Sequence, residues 1–103
     1  MIKVSVFYPY SNGSPFDMKY YVEKHMRMVK EKVGAACKGA AVEHGIGGGA
    51  PGAPPMYVAM GHMWFESVEA FQAAFGPHQK EILGDVANYT KIQPTIQISE
   101  VKL

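Results

Sequence analysis

The stretch Phe16-Asp17-Met18-Lys19-Tyr20-Tyr21-Val22-Glu23-Lys24-His25-Met26-Arg27-Met28-Val29-Lys30-Glu31-Lys32-Val33-Gly34 decides the fold. Asp17 stands where an N-cap belongs, since its carboxylate can accept the unpaired amides of a first helical turn. Phe16 before it and Tyr21 after it occupy the N′ and N4 positions of a hydrophobic staple. Met18, Tyr21, Val22, His25, Val29 and Val33 recur at spacings of three and four, the apolar stripe of one helix face. Lys19, Glu23, Lys30 and Glu31 fall mainly off it, and Gly34 supplies the stop. This pattern predicts a helix that turns His25 toward an apolar partner layer.

Strands flank the helix. Upstream, Ile2, Val4, Val6 and Tyr8 share one parity and Lys3, Ser5 and Phe7 the other, a period-two strand stopped by Pro9. Downstream, Ala35 to Gly45 is read as a second strand bent at Gly39, followed by a Gly- and Pro-rich connection ending at Pro55. Met56 to Phe65 forms a third strand. Ser67 caps a second helix with Val68, Phe71 and Phe75 on its inner face. Gly76-Pro77 breaks that helix, and Pro77 can open a short turn carrying Ile82, Leu83 and Val86. Thr95 to Val101 closes the chain as a fourth strand. The order β-α-β-β-α-β over residues 1–103 predicts one α+β domain, a ferredoxin-like, four-stranded antiparallel sheet with helices on one face. Both parities of the third strand carry apolar residues, so the other face also needs a cover. A second copy of the chain is the economical cover, and a homodimer is expected.

Composition excludes several classes. The chain has 103 residues, 48% of them hydrophobic, and a formal charge of +1, which suits a folded core and gives no basic tract for a phosphate backbone. The cationic run from Lys24 to Lys32 is interleaved with Glu23 and Glu31 and reads as a solvated helix face, so no nucleic acid partner is expected. The lone Cys37 cannot form an intramolecular disulfide, and no apolar run reaches the ~20 residues of a membrane span. A soluble cytoplasmic protein without a membrane partner is expected. No two of His25, His44, His62 and His78 share the i, i+4 spacing of a metal pair, and the glycines at 45–49 lack the Gly-Lys-Ser/Thr of a phosphate loop. No metal and no cofactor are expected; a haem on His25 or His62 is the exception to test, by the colour of the purified protein.

The opening strand ending in Tyr8-Pro9, the run Phe16-Asp17-Met18-Lys19-Tyr20-Tyr21 with His25-Met26, and the later Tyr57 strand resemble the EthD family. So do Phe65-Glu66-Ser67-Val68-Glu69-Ala70-Phe71, Asp85 with Asn88 and Thr90, and the closing Ile96-Gln97-Ile98-Ser99-Glu100. The resemblance covers essentially the whole chain, and Phe-Asp-x-x-Tyr-Tyr-x-x-x-His is its most specific piece. It departs at Asp85-Val86-Ala87-Asn88-Tyr89-Thr90, where the family more often has a proline before the Asn. The resemblance implies a dimeric α+β barrel and a link to bacterial breakdown of organic compounds. The wider superfamily includes cofactor-free oxygenases, lactone isomerases, cyclases and haem proteins, so fold alone does not select a reaction.

His25 is the first candidate for chemistry, because an apolar setting favours the neutral imidazole base. Its structural alternative is a core histidine tied to a backbone carbonyl or a tyrosine hydroxyl, and spacing does not separate the two. Tyr8, Tyr20 and Tyr21 are candidate ligand contacts through their hydroxyls, with aromatic core packing as the alternative. Tyr20 points off the stripe, toward a dimer surface. His62 alternates with Met60 and Trp64 and faces either the same pocket or the dimer interior. Asp85 is expected either to orient His25 or a water, or to close a helix end with Asn88. The reading that follows is a cofactor-independent isomerase, oxygenase or cyclase acting on a small apolar organic compound in a degradative or biosynthetic pathway, with His25 as acid/base. The alternative is a non-catalytic binding or accessory protein for such a compound.

Overall fold

Strand β1 (Ile2–Pro9) lies inside the sheet, paired antiparallel to β3 (Tyr57–Phe65) on one side and to β4 (Thr95–Glu100) on the other. Strand β2 (Gly39–His44) pairs with the outer side of β3, giving the order β2-β3-β1-β4 with every pair antiparallel. This computed structural model describes residues 1–103, and its architecture is the ferredoxin-like sheet with helices on one face. No helix is long and apolar enough to cross a membrane.

Helix α1 is one continuous run made of an α-helical turn (Met18–Tyr20), a π-helical turn (Tyr21–His25) and an α-helical segment (Met26–Val33). Asp17 caps it, its carboxylate accepting from the Tyr20 amide at 3.0 Å. Gly34 ends it with φ of 62°, a left-handed backbone that glycine adopts without a Cβ clash. Ser67 caps α2 (Val68–Phe75), its hydroxyl accepting from the Ala70 amide at 3.1 Å, a contact worth about 1 kcal/mol. A tight turn at Gly76–His78 leads into α3 (Gln79–Gly84), and another at Val86–Asn88 returns the chain toward β4.

The core lies between the helices and one sheet face. Val4 and Tyr8 of β1 and Ala59, Met63 and Phe65 of β3 are buried against Tyr21, Met26, Val29 and Val33 of α1 and Ile82 of α3. The strand registers Val4↔Met63 and Tyr8↔Ala59 place these side chains on one side, as the period-two pattern requires. The opposite face carries Lys3, Ser5 and Phe7 of β1 with Met60, His62 and Trp64 of β3; Phe7 packs 5.1 Å from the Tyr57 ring.

Three local expectations are corrected. The second strand begins at Gly39 rather than Ala35, because Gly34–Ala36 continues past the helix as a 3-10 turn closed by the Cys37 amide on the Gly34 carbonyl. Val22 is 46% exposed although the stripe places it inward, while Met26, off the stripe, is buried. The π-helical turn adds a residue between them and rotates the inward face. The last strand ends at Glu100, one residue short of Val101.

Candidate functional site

The π-helical turn of α1 gathers the site. The Met26 amide bonds the Tyr21 carbonyl five residues back, so Tyr21 and His25 both face inward with Met26 below them. π-helical turns recur at functional sites because the widened turn re-aims the side chains it carries. The Tyr21 ring stacks on His25 at 5.6 Å and 17°, and Tyr89 meets the imidazole edge-on at 4.8 Å.

Gly61 of β3 permits this arrangement. A Cβ there would lie 2.1 Å from the Tyr21 hydroxyl, so only a residue without a side chain lets Tyr21 reach the strand. On the other side of α1, the Asp17 amide bonds the Tyr89 carbonyl at 2.8 Å, Phe16 bridges Thr90, and the Thr90 hydroxyl donates to the Pro15 carbonyl. These ties fix the segment after α3 beside the start of α1. They carry Asp85 to His25.

Asp85 accepts from His25 Nδ1 through Oδ2 at 2.9 Å, and from the Tyr20 hydroxyl and Asn88 Nδ2 through Oδ1 at 2.7 and 2.8 Å. Both geometries expected of Asp85 are therefore present together: it holds His25 and closes the turn with Asn88. Burial alone would raise the Asp85 pKa, but the bonds donated by Asn88, His25 and Tyr20 outweigh it and hold the carboxyl below its ordinary range. An ionised carboxylate only accepts, so the proton between the pair sits on His25 Nδ1. Burial lowers the His25 pKa below the ordinary imidazole value, and the opposing pull of Asp85 does not offset it. The ring is neutral near pH 7, with its unprotonated nitrogen at Nε2. No buried side-chain nitrogen or oxygen lacks a partner, so Nε2, which has none within the chain, keeps contact with open space.

His25 borders a cavity of about 70 Å³ between sheet and helices. Its walls are mostly apolar, with Val4 and Val6 below, Phe71 and Phe75 of α2 on one side, and Ile82 and Val86 on another. Tyr8 and Tyr21 also line it, but the Tyr8 hydroxyl is bonded to that of Tyr89 at 2.6 Å. Burial, first among the causes, pushes the Tyr8, Tyr21 and Tyr89 pKa values up, so all three stay protonated phenols. The bond to Asp85 does the same for Tyr20.

The structure thus ties Asp85 to His25 and sets Tyr8, Tyr21 and, from the strand side, His62 around the same cavity. The alternation of β3 carries the His62 ring to the other sheet face, where Nδ1 meets the Ser5 hydroxyl at 2.8 Å and Nε2 meets Glu43 at 3.1 Å. It borders the cavity only from the strand side. Nowhere do three or more His, Cys, Asp or Glu side chains converge as a metal site. Tyr20 and Tyr89 also belong to the constellation, and the place of Tyr89 in the sequence does not reveal it. Tyr20, off the helix stripe, holds Asp85 through its hydroxyl; the π-helical turn, invisible to a regular helical period, begins immediately after it.

The EthD domain model matches residues 15–93. No curated protein matches the chain. Among solved structures, an EthD-like protein from Ralstonia eutropha JMP134 is 53% identical, with a TM-score of 0.95, over 99% of this chain and 92% of that one. An ethyl tert-butyl ether degradation (EthD) family protein from Bacillus halodurans C-125 is 20% identical, with a TM-score of 0.74, over 99% of both chains. A dimeric ferredoxin-like protein of unknown function from Thermobifida fusca YX is 14% identical, with a TM-score of 0.64, over 97% of this chain and 90% of that one.

Proposed function

The chain belongs to the EthD family, and on that premise we propose that it binds a small, neutral, mostly apolar organic compound and moves a proton on it with His25. The observation that carries this reading is the pairing of His25 Nδ1 with Asp85, which leaves Nε2 as the basic atom at an apolar cavity. Asp85 fixes the ring and its tautomer, and would stabilise the imidazolium formed when Nε2 takes a proton. Tyr8 and Tyr21 form the wall beside that atom. Their protonated hydroxyls can steady charge that develops on a substrate oxygen, provided the ligand displaces the bond between Tyr8 and Tyr89. Isomerisation, cyclisation and cofactor-independent oxygenation all begin with such a proton removal, and a degradative or biosynthetic pathway in the cytoplasm supplies substrates of this kind.

The test works without a known substrate. A panel of neutral carbon acids that carry a hydroxyl, phenols and enols among them, is incubated with the protein in deuterated water, and isotope incorporation is followed by mass spectrometry. Incorporation with the wild type, reduced about a hundredfold or more by His25→Gln, is the expected outcome. Ligand binding without incorporation would favour the accessory, non-catalytic reading.

The same reading includes a homodimer. Phe7, Tyr57, Met60 and Trp64 leave an apolar surface on the sheet face that no helix covers, and the Thermobifida relative in fold is described as dimeric. Sedimentation at micromolar concentration should give twice the 11.3 kDa chain mass; a monomer would overturn the dimer.

A further inference from the structure

The chemistry of the cavity narrows its ligand further. We infer that the ligand is a neutral molecule that enters hydroxyl first and donates that O–H to His25 Nε2, with an apolar body directed to the cavity mouth. The inference rests on the reading of this cavity as a ligand site.

Hydrogen-bond accounting carries it. Nδ1 of His25 is spent on Asp85, whose other oxygen already takes Tyr20 and Asn88, so the tautomer cannot invert without stripping the carboxylate of a donor. Nε2 then faces the cavity as an acceptor only. The Tyr8 hydroxyl is engaged with Tyr89, the Tyr21 hydroxyl is lodged against Gly61, and the β1 and β3 backbones beside the cavity are paired. Among these groups Nε2 is the one left purely as an acceptor, and it requires a donor from the ligand. A ketone or ether oxygen placed there would set lone pair against lone pair. No lysine or arginine lines the cavity, so a carboxylate or phosphate would be buried without a counter-charge, which is strongly unfavourable.

Size sets the orientation. The enclosed space is about 70 Å³, against roughly 150 Å³ for an apolar cavity that takes up benzene. A hydroxyl-bearing end fits inside and the rest must extend outward. Leu83 and Ile96 border the cavity, yet are 42% and 53% exposed. Apolar side chains at a mouth suit the apolar remainder of such a ligand.

The test compares matched probes by calorimetry and by chemical-shift titration near neutral pH: 4-methylphenol, its methyl ether 4-methylanisole, and 4-methylbenzoate. The expected order is 4-methylphenol first, the ether about tenfold weaker, the difference made by one neutral hydrogen bond, and no binding of the benzoate. His25→Leu, which removes the acceptor and keeps the bulk, should bring phenol and ether to equal affinity. Ether or benzoate binding as tightly as the phenol to the wild-type protein would overturn the donor-first inference while leaving the cavity as a ligand site. If no probe binds and no resonance near His25 moves, both the inference and the site reading fall.

Discussion

Asp85 Oδ2 lies 2.9 Å from His25 Nδ1 across sixty residues of chain. This bond settles which imidazole nitrogen carries the proton, and the site's chemistry follows from it. Asp85 also joins the turn after α3 to α1, through Asn88 on one side and Tyr20 and His25 on the other, so the residue that sets the tautomer is part of the fold's closure.

Asp85→Asn should therefore separate charge from shape. The amide keeps the volume but can donate to His25 Nδ1, so the Nε2–H tautomer becomes populated and a donor ligand loses its acceptor. Losing the charge that gathers Tyr20, Asn88 and His25 should also lower unfolding free energy by about 1–3 kcal/mol. Urea denaturation with probe titration checks both. Unchanged stability and unchanged 4-methylphenol affinity would show that the carboxylate has no such role.

Gly61→Ala should be costly in a way that a second substitution relieves. The new Cβ would meet the Tyr21 hydroxyl at 2.1 Å and the ring carbon behind it at 3.4 Å. Overpacking of this kind costs about 1–3 kcal/mol. Tyr21→Phe removes the clashing oxygen, so the double variant should regain most of the stability lost. A double-mutant cycle by thermal and urea unfolding reads the coupling, and strict additivity would mean that Tyr21 does not occupy this position.

The pH dependence of stability has a defined sign. Burial holds the folded His25 pKa below 6.5, so as pH falls below 6.5 the unfolded chain takes up the proton first and stability declines. Asp85 acts in a lower window: its folded pKa lies below 3.8, so its contribution is intact above that value and is lost as pH falls through the folded one. Stability measured from neutral pH down to about 5 should fall less steeply in His25→Gln than in the wild type. Parallel slopes would contradict a buried neutral His25.

His62→Ala should leave the His25 cavity alone. Its ring serves the opposite face, and its loss strands the Ser5 hydroxyl, in a residue only 2% exposed, without its partner. The expected cost is about 1–3 kcal/mol of stability, with 4-methylphenol affinity unchanged. A matching loss of affinity would place His62 in the ligand site after all.

The strands, the capped first helix and the ferredoxin-like order were legible because they rest on short-range rules: the alternation of Ile2, Val4, Val6 and Tyr8, the caps at Asp17 and Ser67, and the stop at Gly34. The inward direction of Tyr21 and His25 was legible for the same reason. What escaped depends on contacts distant in sequence or on a departure from the regular period. The π-helical turn exposes Val22 and buries Met26, which a fixed helical period reverses. Tyr20 and Tyr89 join the site only because Phe16 bridges Thr90 and the Asp17 amide binds the Tyr89 carbonyl. His62 was ambiguous because both parities of β3 are apolar; the Ser5 and Glu43 contacts resolve its face.

The most direct measurement is long-range proton–nitrogen correlation NMR of histidine-labelled protein near neutral pH, with and without 4-methylphenol. A neutral His25 protonated at Nδ1, whose Nε2 resonance moves on adding the phenol and loses that response in Asp85→Asn, is the expected result. An imidazolium or an Nε2–H tautomer in the free protein, or an Nε2 resonance indifferent to the phenol, would contradict the assignment of His25 as the Asp85-held base of this site.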